Sequence, residues 1–277
     1  GLPAYGGKGQ YKNTIDLSNK GLLGEGDLEY LSSDTRASKN NMVFMPDSML
    51  ALTDTFYIAE TASTPDAKAG RVDVKWLPYQ DEMYATSRKT SFSLYRGETQ
   101  IRGQLVLRPI GLQGGGNAVV REAELYAELF DMKPRNMTSN ISEFKLRSDL
   151  YDNIALSATD VKSNIDYDKQ IGTFISNKAM ECVSLDIIQY VACIDKFVWD
   201  MNKKEVSLQN SKSTSTQGLG ALALNKRVGK IMPGARYVSV NPKQDSLSFF
   251  AVQGLYKYNA GQLTAKDVFM IEVADAA

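Results

Sequence analysis

The sequence predicts a mainly β fold, a β-sandwich with helical insertions, on three observations. The stretch from Arg71 to Pro109 holds three strand-like runs, Arg71–Leu77, Lys89–Tyr95 and Gln100–Arg108. Val72, Val74 and Trp76 alternate with Asp73 and Lys75, and Ile101, Leu105 and Leu107 alternate with Arg102, Gln104 and Arg108, the period of two of a half-buried strand. Strand-like runs return after a mixed middle section, at 236–240, 246–258 and 267–273, so late strands are expected to pair with early ones across two layers. Hydrophobic residues make up 43% of the 277, enough apolar content for one large β domain or two smaller ones.

Residues 1–41 are rich in Gly, Ser, Asn and charge, and such a segment buries too little apolar surface to order itself. They are expected to form an extended or mobile N-terminal arm, with the β-sandwich domain occupying 42–277. Met42–Met45, Leu50–Leu52 and Thr55–Ala59 begin that domain, Pro46-Asp47 breaks the first two apart, and 62–70 is a loop. Pro78 stops the strand before it, because proline donates nothing to a ladder. Arg96–Thr99 fits a hairpin connection between two alternating strands.

The middle section, about 118–200, is the helical part of this expectation. Gly111–Asn117 reads as a flexible loop, followed by Ala118–Asp131, where Ala, Glu and Leu favour a helix capped by Asn117. The same residues alternate, Ala123, Leu125, Ala127 and Leu129 against Glu122, Glu124 and Glu128, which leaves a strand open. Residues 133–178 are polar, with short helical or turn segments around 142–152 and 159–170. In 179–200 the residues Val183, Ile187, Tyr190, Val191, Ile194 and Val198 recur at helical spacing and favour a buried helix, with two strands as the alternative. On a helix, Cys182 and Cys193 would lie about 16 Å apart, too far for a disulfide, and would be inert core thiols. Residues 207–220 form a polar loop. No internal repeat is legible.

Composition removes several function classes. Lys+Arg and Asp+Glu are equal at 32 each, so no overall field favours nucleic acid or an anionic membrane. The chain has no histidine, which takes away the commonest general base and the commonest metal ligand. No catalytic residue, metal site or cofactor is assigned. The carboxylate pairs Asp81/Glu82 and Asp166/Asp168 sit in polar loops where solvated charge is the default, and Trp76 and Trp199 read as core aromatics. Two cysteines do not make a disulfide framework and fit a reducing compartment. No apolar run approaches the ~18 residues of a membrane span, so a soluble chain with no membrane partner is expected. A first residue other than Met fits a chain cut from a precursor or tag, or numbered from a mature end. The sequons at Asn136 and Asn140 read as coincidental, and Gly218–Ala223 lacks the strand that a dinucleotide fingerprint requires.

The charges are unevenly placed. Glu122 to Asp200 carries 14 acidic and 8 basic residues, whereas Lys203 to Lys257 carries 9 basic and 2 acidic. Lys203, Lys204, Lys212, Lys226, Arg227, Lys230 and Arg236, interleaved with small polar residues, are candidate phosphate contacts for RNA or DNA. The alternative is a solvated basic face that meets the acidic part of the same or a neighbouring chain.

The element Gly7-Lys-Gly-Gln-Tyr11 in a glycine-rich arm, ahead of a strand-rich domain, resembles jelly-roll coat proteins of small icosahedral viruses, some of which carry Gly-x-Gly-x-Tyr before the shell domain. The resemblance implies a jelly-roll-like sandwich, a place in a virion after assembly in the host cytoplasm, and partners that are copies of the chain itself or coat subunits of other types. It also implies that Gly7, Lys8, Gly9 and Tyr11 make contacts beneath or between neighbouring subunits. The arm departs from that family in being acidic as well as basic, with Asp16, Glu25, Asp27 and Glu29 against Lys8, Lys12 and Lys20, so an arginine-rich genome-binding arm is absent. A structural self-assembling subunit, in the form of a viral capsid protein, is the leading expectation. A nucleic-acid-binding viral protein of nucleoprotein or movement type is the alternative, and a carboxylate enzyme on a β scaffold comes third.

Overall fold

The computed structural model describes residues 1–178, 182–210 and 234–273. The protein is mainly β. The only helical pieces among the described residues are three-residue 3-10 turns. The chain divides into two compact units, Gly1–Val120 with Tyr126–Met137, and Arg121–Leu125 with Thr138–Ala277.

In the first unit β1 (Leu2–Ala4), β2 (Gly9–Ser18), β3 (Gly21–Tyr30) and β4 (Ser33–Phe44) follow one another as an antiparallel meander. Strand β4 then serves two ladders. Its last residues, Met42–Phe44, pair with β5 (Met49–Leu52), from which the ladder continues through β8 (Val72–Leu77) and β9 (Glu82–Ser87) to the second half of β11 (Thr99–Arg108). Its first residues, Ser33–Arg36, pair with β6 (Thr55–Ile58), and this branch runs through β7 (Ala67–Ala69) and β10 (Phe92–Leu94) to the first half of β11. Strand β12 (Gly111–Val120) pairs along the whole of β11. Both branches carry fully buried side chains, Met49 and Trp76 on one, Ile58, Phe92 and Leu94 on the other.

The second unit repeats this scheme. Strand β15 (Asn153–Asp166) pairs with β16 (Ile171–Ser176) through its end and with β17 (Cys182–Leu185) at Ser157. One branch continues through β19 (Lys196–Asp200) and β20 (Glu205–Gln209), the other through β18 (Tyr190–Cys193) and β21 (Ala235–Ser239). Both end on β22 (Ser248–Lys257), along which β23 (Gln262–Glu272) pairs. Strand β4 corresponds to β15, β5 to β16, and so on in order to β12 and β23. Trp76 on β8 and Trp199 on β19, both fully buried, occupy the same place, and each hairpin closes on a glutamate, Leu77 opposite Glu82 and Asp200 opposite Glu205. An internal repeat is therefore present, written in the pairing order and in Trp-x5-Glu rather than in overall residue identity.

Several expectations are corrected. Residues 118–131, favoured as a helix, are the end of β12 and β13 (Ala123–Lys133), with Ala123, Leu125 and Ala127 buried while Tyr126 and Glu128 are exposed. Local propensity yields here to the alternation and to neighbouring strands that satisfy the backbone. The favoured helix over 179–200 is, where described, the strands β17, β18 and β19. Its helical spacing arises because the 3-10 turn at 186–188 and left-handed Gln189 reset the phase between two short strands. The polar section 133–178 supplies β14 (Asn136–Ser148), β15 and β16 rather than helical segments. The arm expected over 1–41 is extended, but it is built into the first unit, with Tyr11, Leu28 and Tyr30 at 2% exposure or less.

The glycine run 111–117 is strand, not loop, because the backbones there approach closely. A Cβ on Gly103 would lie 1.9 Å from the carbonyl oxygen of Gly115, and one on Gly115 would lie 2.2 Å from that of Glu128. Gly103→Ala is expected to lower stability by about 1–3 kcal/mol, the usual cost of overpacking, read as a lower urea midpoint by far-UV circular dichroism. An unchanged midpoint would show that the strands separate freely at this point.

Candidate functional site

The basic segment does not assemble a cationic patch among the described residues. Lys203 pairs with Asp200 at 2.9 Å, and Lys204 lies between Glu122 at 2.9 Å and Asp149 at 2.5 Å. Arg236 sits on β21 opposite Cys193. Lys212, Lys226, Arg227 and Lys230, with Gly218–Ala223, lie outside the described residues. Hydrogen bonds from Lys204 to Asp149 and then to Glu122 raise the ammonium above its ordinary pKa, and the same contact holds the Asp149 carboxyl below the usual carboxylate range.

The signs follow from linkage. Lys204 contributes stability below the ordinary lysine range that is lost as pH rises through its raised pKa, and Asp149 contributes stability above about pH 4 that is lost as pH falls below it. Lys204→Met is expected to lower the unfolding free energy slightly at neutral pH, by less than about 1 kcal/mol because solvent screens a half-exposed group. The difference from wild type should shrink below about pH 4. A difference that stays constant from pH 3 to pH 8 would assign the loss to packing instead.

The Gly-x-Gly-x-Tyr element is occupied by structural work. Gly7 takes a φ of +89° in the turn between β1 and β2, and Lys8 pairs with Asp81 at 2.9 Å. A Cβ on Gly9 would lie 2.6 Å from the Trp76 ring. The Tyr11 hydroxyl donates to the carbonyls of Thr14 and Glu25 at 2.6 and 2.9 Å.

The carboxylates are also engaged. Glu82 accepts from the Tyr84 hydroxyl at 2.6 Å and from Arg108 at 2.8 Å, and these bonds hold it below the usual carboxylate range. Asp166 accepts from the backbone of Lys169 and is lowered first by that bond. Among the described residues no group of three or more Asp, Glu or Cys is placed to hold a metal ion, and no helix is long and apolar enough to cross a membrane.

Among the described residues two strands, β2 and β23, present long open edges. Strand β1 pairs only with Gly9–Tyr11 of β2, so Lys12–Ser18 has β3 on one side and, among the described residues, no ladder on the other. Every residue from Lys12 to Ser18 is exposed, Leu17 by 81%. At the other end of the chain β23 has β22 on one side and no second ladder among the described residues. It exposes Val268, Phe269 and Ile271, the last by 69%. Each edge offers a row of backbone donors and acceptors beside apolar side chains, the combination that invites another strand.

Comparison with protein-family models, curated proteins and solved structures finds no match. A further feature is a groove of about 650 Å³ over the β5–β8–β9 sheet face, lined by Leu50, Leu52, Leu77 and Tyr84 together with Asp73 and Lys75. Asp73 is held there by Arg88 at 2.6 Å.

Sequence reasoning missed two things that shape this surface. Cys182 and Cys193 are joined by a disulfide and stand opposite each other in the β17–β18 hairpin, which replaces the expected free thiols. The signal was their equal distance from the turn that joins Leu185 to Tyr190. The apolar run Val268–Ile271 was read as a late strand that pairs with an early one, whereas β23 pairs with β22.

Proposed function

We propose that the protein is a structural, self-associating β protein that acts through its strand edges rather than through a catalytic centre. The single observation that carries this is the pair of long edges, β2 and β23, whose apolar side chains stand in solvent. The engaged carboxylates favour structure over general acid–base work, and the ion-paired Lys203 and Lys204 favour it over phosphate binding. A viral coat subunit is the finer form of the proposal and rests on the Gly7–Tyr11 element, together with a jelly-roll arrangement in a virion. The disulfide favours an oxidising setting for the mature protein.

Light scattering of the purified protein at low and high salt, with absorbance at 260 nm on the same peak, tests the proposal. Particles or oligomers of defined mass that persist in salt are expected. A monomer at every concentration would overturn it, and nucleic acid that co-elutes at low salt only would shift the balance to the basic segment.

A further inference from the structure

We propose that β23 of one copy takes β2 of a second copy as its antiparallel neighbour, so that copies join head to tail. This rests on the self-association proposed above and names its contact. The internal repeat supplies the partner. Strand β23 is the counterpart of β12, and within the first unit the outer side of β12 is filled: the Gln113 amide donates to Asp131 at 2.6 Å, and Gly115 meets the backbone of Glu128. The strand that fills it is β13. Only the first residues of β13, Ala123–Leu125, belong to the second unit, where β14 and β15 follow, with Arg147 N–H donating to the Glu122 carbonyl and the Ser142 hydroxyl to that of Val161. Strands β2, β3 and β4 lead into the first repeat in the same way, which makes β2 the counterpart of β13.

Burial follows the same correspondence. Strand β12 buries Leu112, Ala118 and Val120, and β13 buries Ala123, Leu125, Phe130 and Met132, all at 2% exposure or less. Their counterparts lack this cover, since β23 buries no residue and β2 buries only Gly9 and Tyr11. When Gln113 and Asp131 are taken as direct partners, the same register sets Leu17 opposite Leu263 and Ile15 opposite Ala265. It also sets Asp16 diagonal to Lys266, so an apolar face and an opposite-charge pair both fit. The contact uses different surfaces on the two copies, and such contacts extend into rings or filaments.

The test uses two full-length variants. One carries Ile15→Lys with Leu17→Lys on β2, the other Leu263→Glu with Ala265→Glu on β23, with folding checked by circular dichroism. Each alone is expected to associate at least about tenfold more weakly than wild type, and an equimolar mixture to recover association, because the unaltered β23 of the first then meets the unaltered β2 of the second and lysine-bearing β2 meets glutamate-bearing β23. Independently, Leu17→Cys mixed with Leu263→Cys under mild oxidation is expected to yield a disulfide-linked pair of chains. If wild type associates but either charged variant keeps its mass, or the mixture stays dissociated and no cross-link forms, this contact is wrong while self-association stands. If wild type is monomeric throughout, self-association itself falls.

Discussion

Trp199→Ala is expected to lower the unfolding free energy by about 3–5 kcal/mol, the range for removing a fully buried large aromatic. The indole has no exposed surface, lies opposite Gly172 and Val206 in its two ladders, and stands 5.9 Å from the ring of Phe144. Its Nε1–H donates to the Tyr258 hydroxyl at 3.4 Å, so truncation leaves a cavity and a buried hydroxyl without its donor. The glycine opposite makes room for the ring, since a Cβ on Gly172 would lie 3.2 Å from Trp199 Cε3. Trp76 is set in the first unit by the same device, with Gly9 against the ring and Tyr5 and Tyr30 each 5.3 Å away, and Trp76→Ala should cost a similar amount. Urea denaturation followed by circular dichroism measures both. A loss below about 1 kcal/mol at either site would mean that the tryptophan does not organise its repeat.

Reduction of the Cys182–Cys193 disulfide is expected to cost about 3 kcal/mol on chain-entropy grounds, for a loop closed across 11 residues. The bond joins two residues that already face each other, so it holds the β17–β18 hairpin closed in the unfolded chain as well as in the folded one. Thermal unfolding of wild type with and without a thiol reductant, beside the double variant Cys182→Ala/Cys193→Ala, measures the effect. A drop of about 6–12 °C is expected for a chain of this size, with the variant indifferent to reductant. Equal melting temperatures with and without reductant would show that the hairpin is held by its ladder alone.

Legibility along the chain depended on how far apart the deciding partners lie. Strands β8, β10, β11, β21 and β22 were readable because their alternation is local, and the Arg96–Thr99 connection does join β10 to β11. The glycines of β12 were unreadable for the opposite reason: the same residues make a loose loop in isolation and a crowded ladder beside Gly103 and Glu128. The candidate site divides in the same way. The apolar composition of β23 stood in the sequence, but its openness is a property of which strands lie beside it.

By itself, then, the sequence determined a β-rich chain, its two buried tryptophans, most strand positions in 42–109 and 235–273, and the lack of a histidine-based chemistry, because period, turn residues and composition act over a few residues. Only the tertiary structure decided that the glycine-rich first 41 residues are built in, that 118–131 is strand, that the two cysteines meet, and that the chain carries one branching scheme twice. Each of these depends on which backbone comes to lie beside which, and a ladder between residues far apart in the chain leaves little trace in either segment alone.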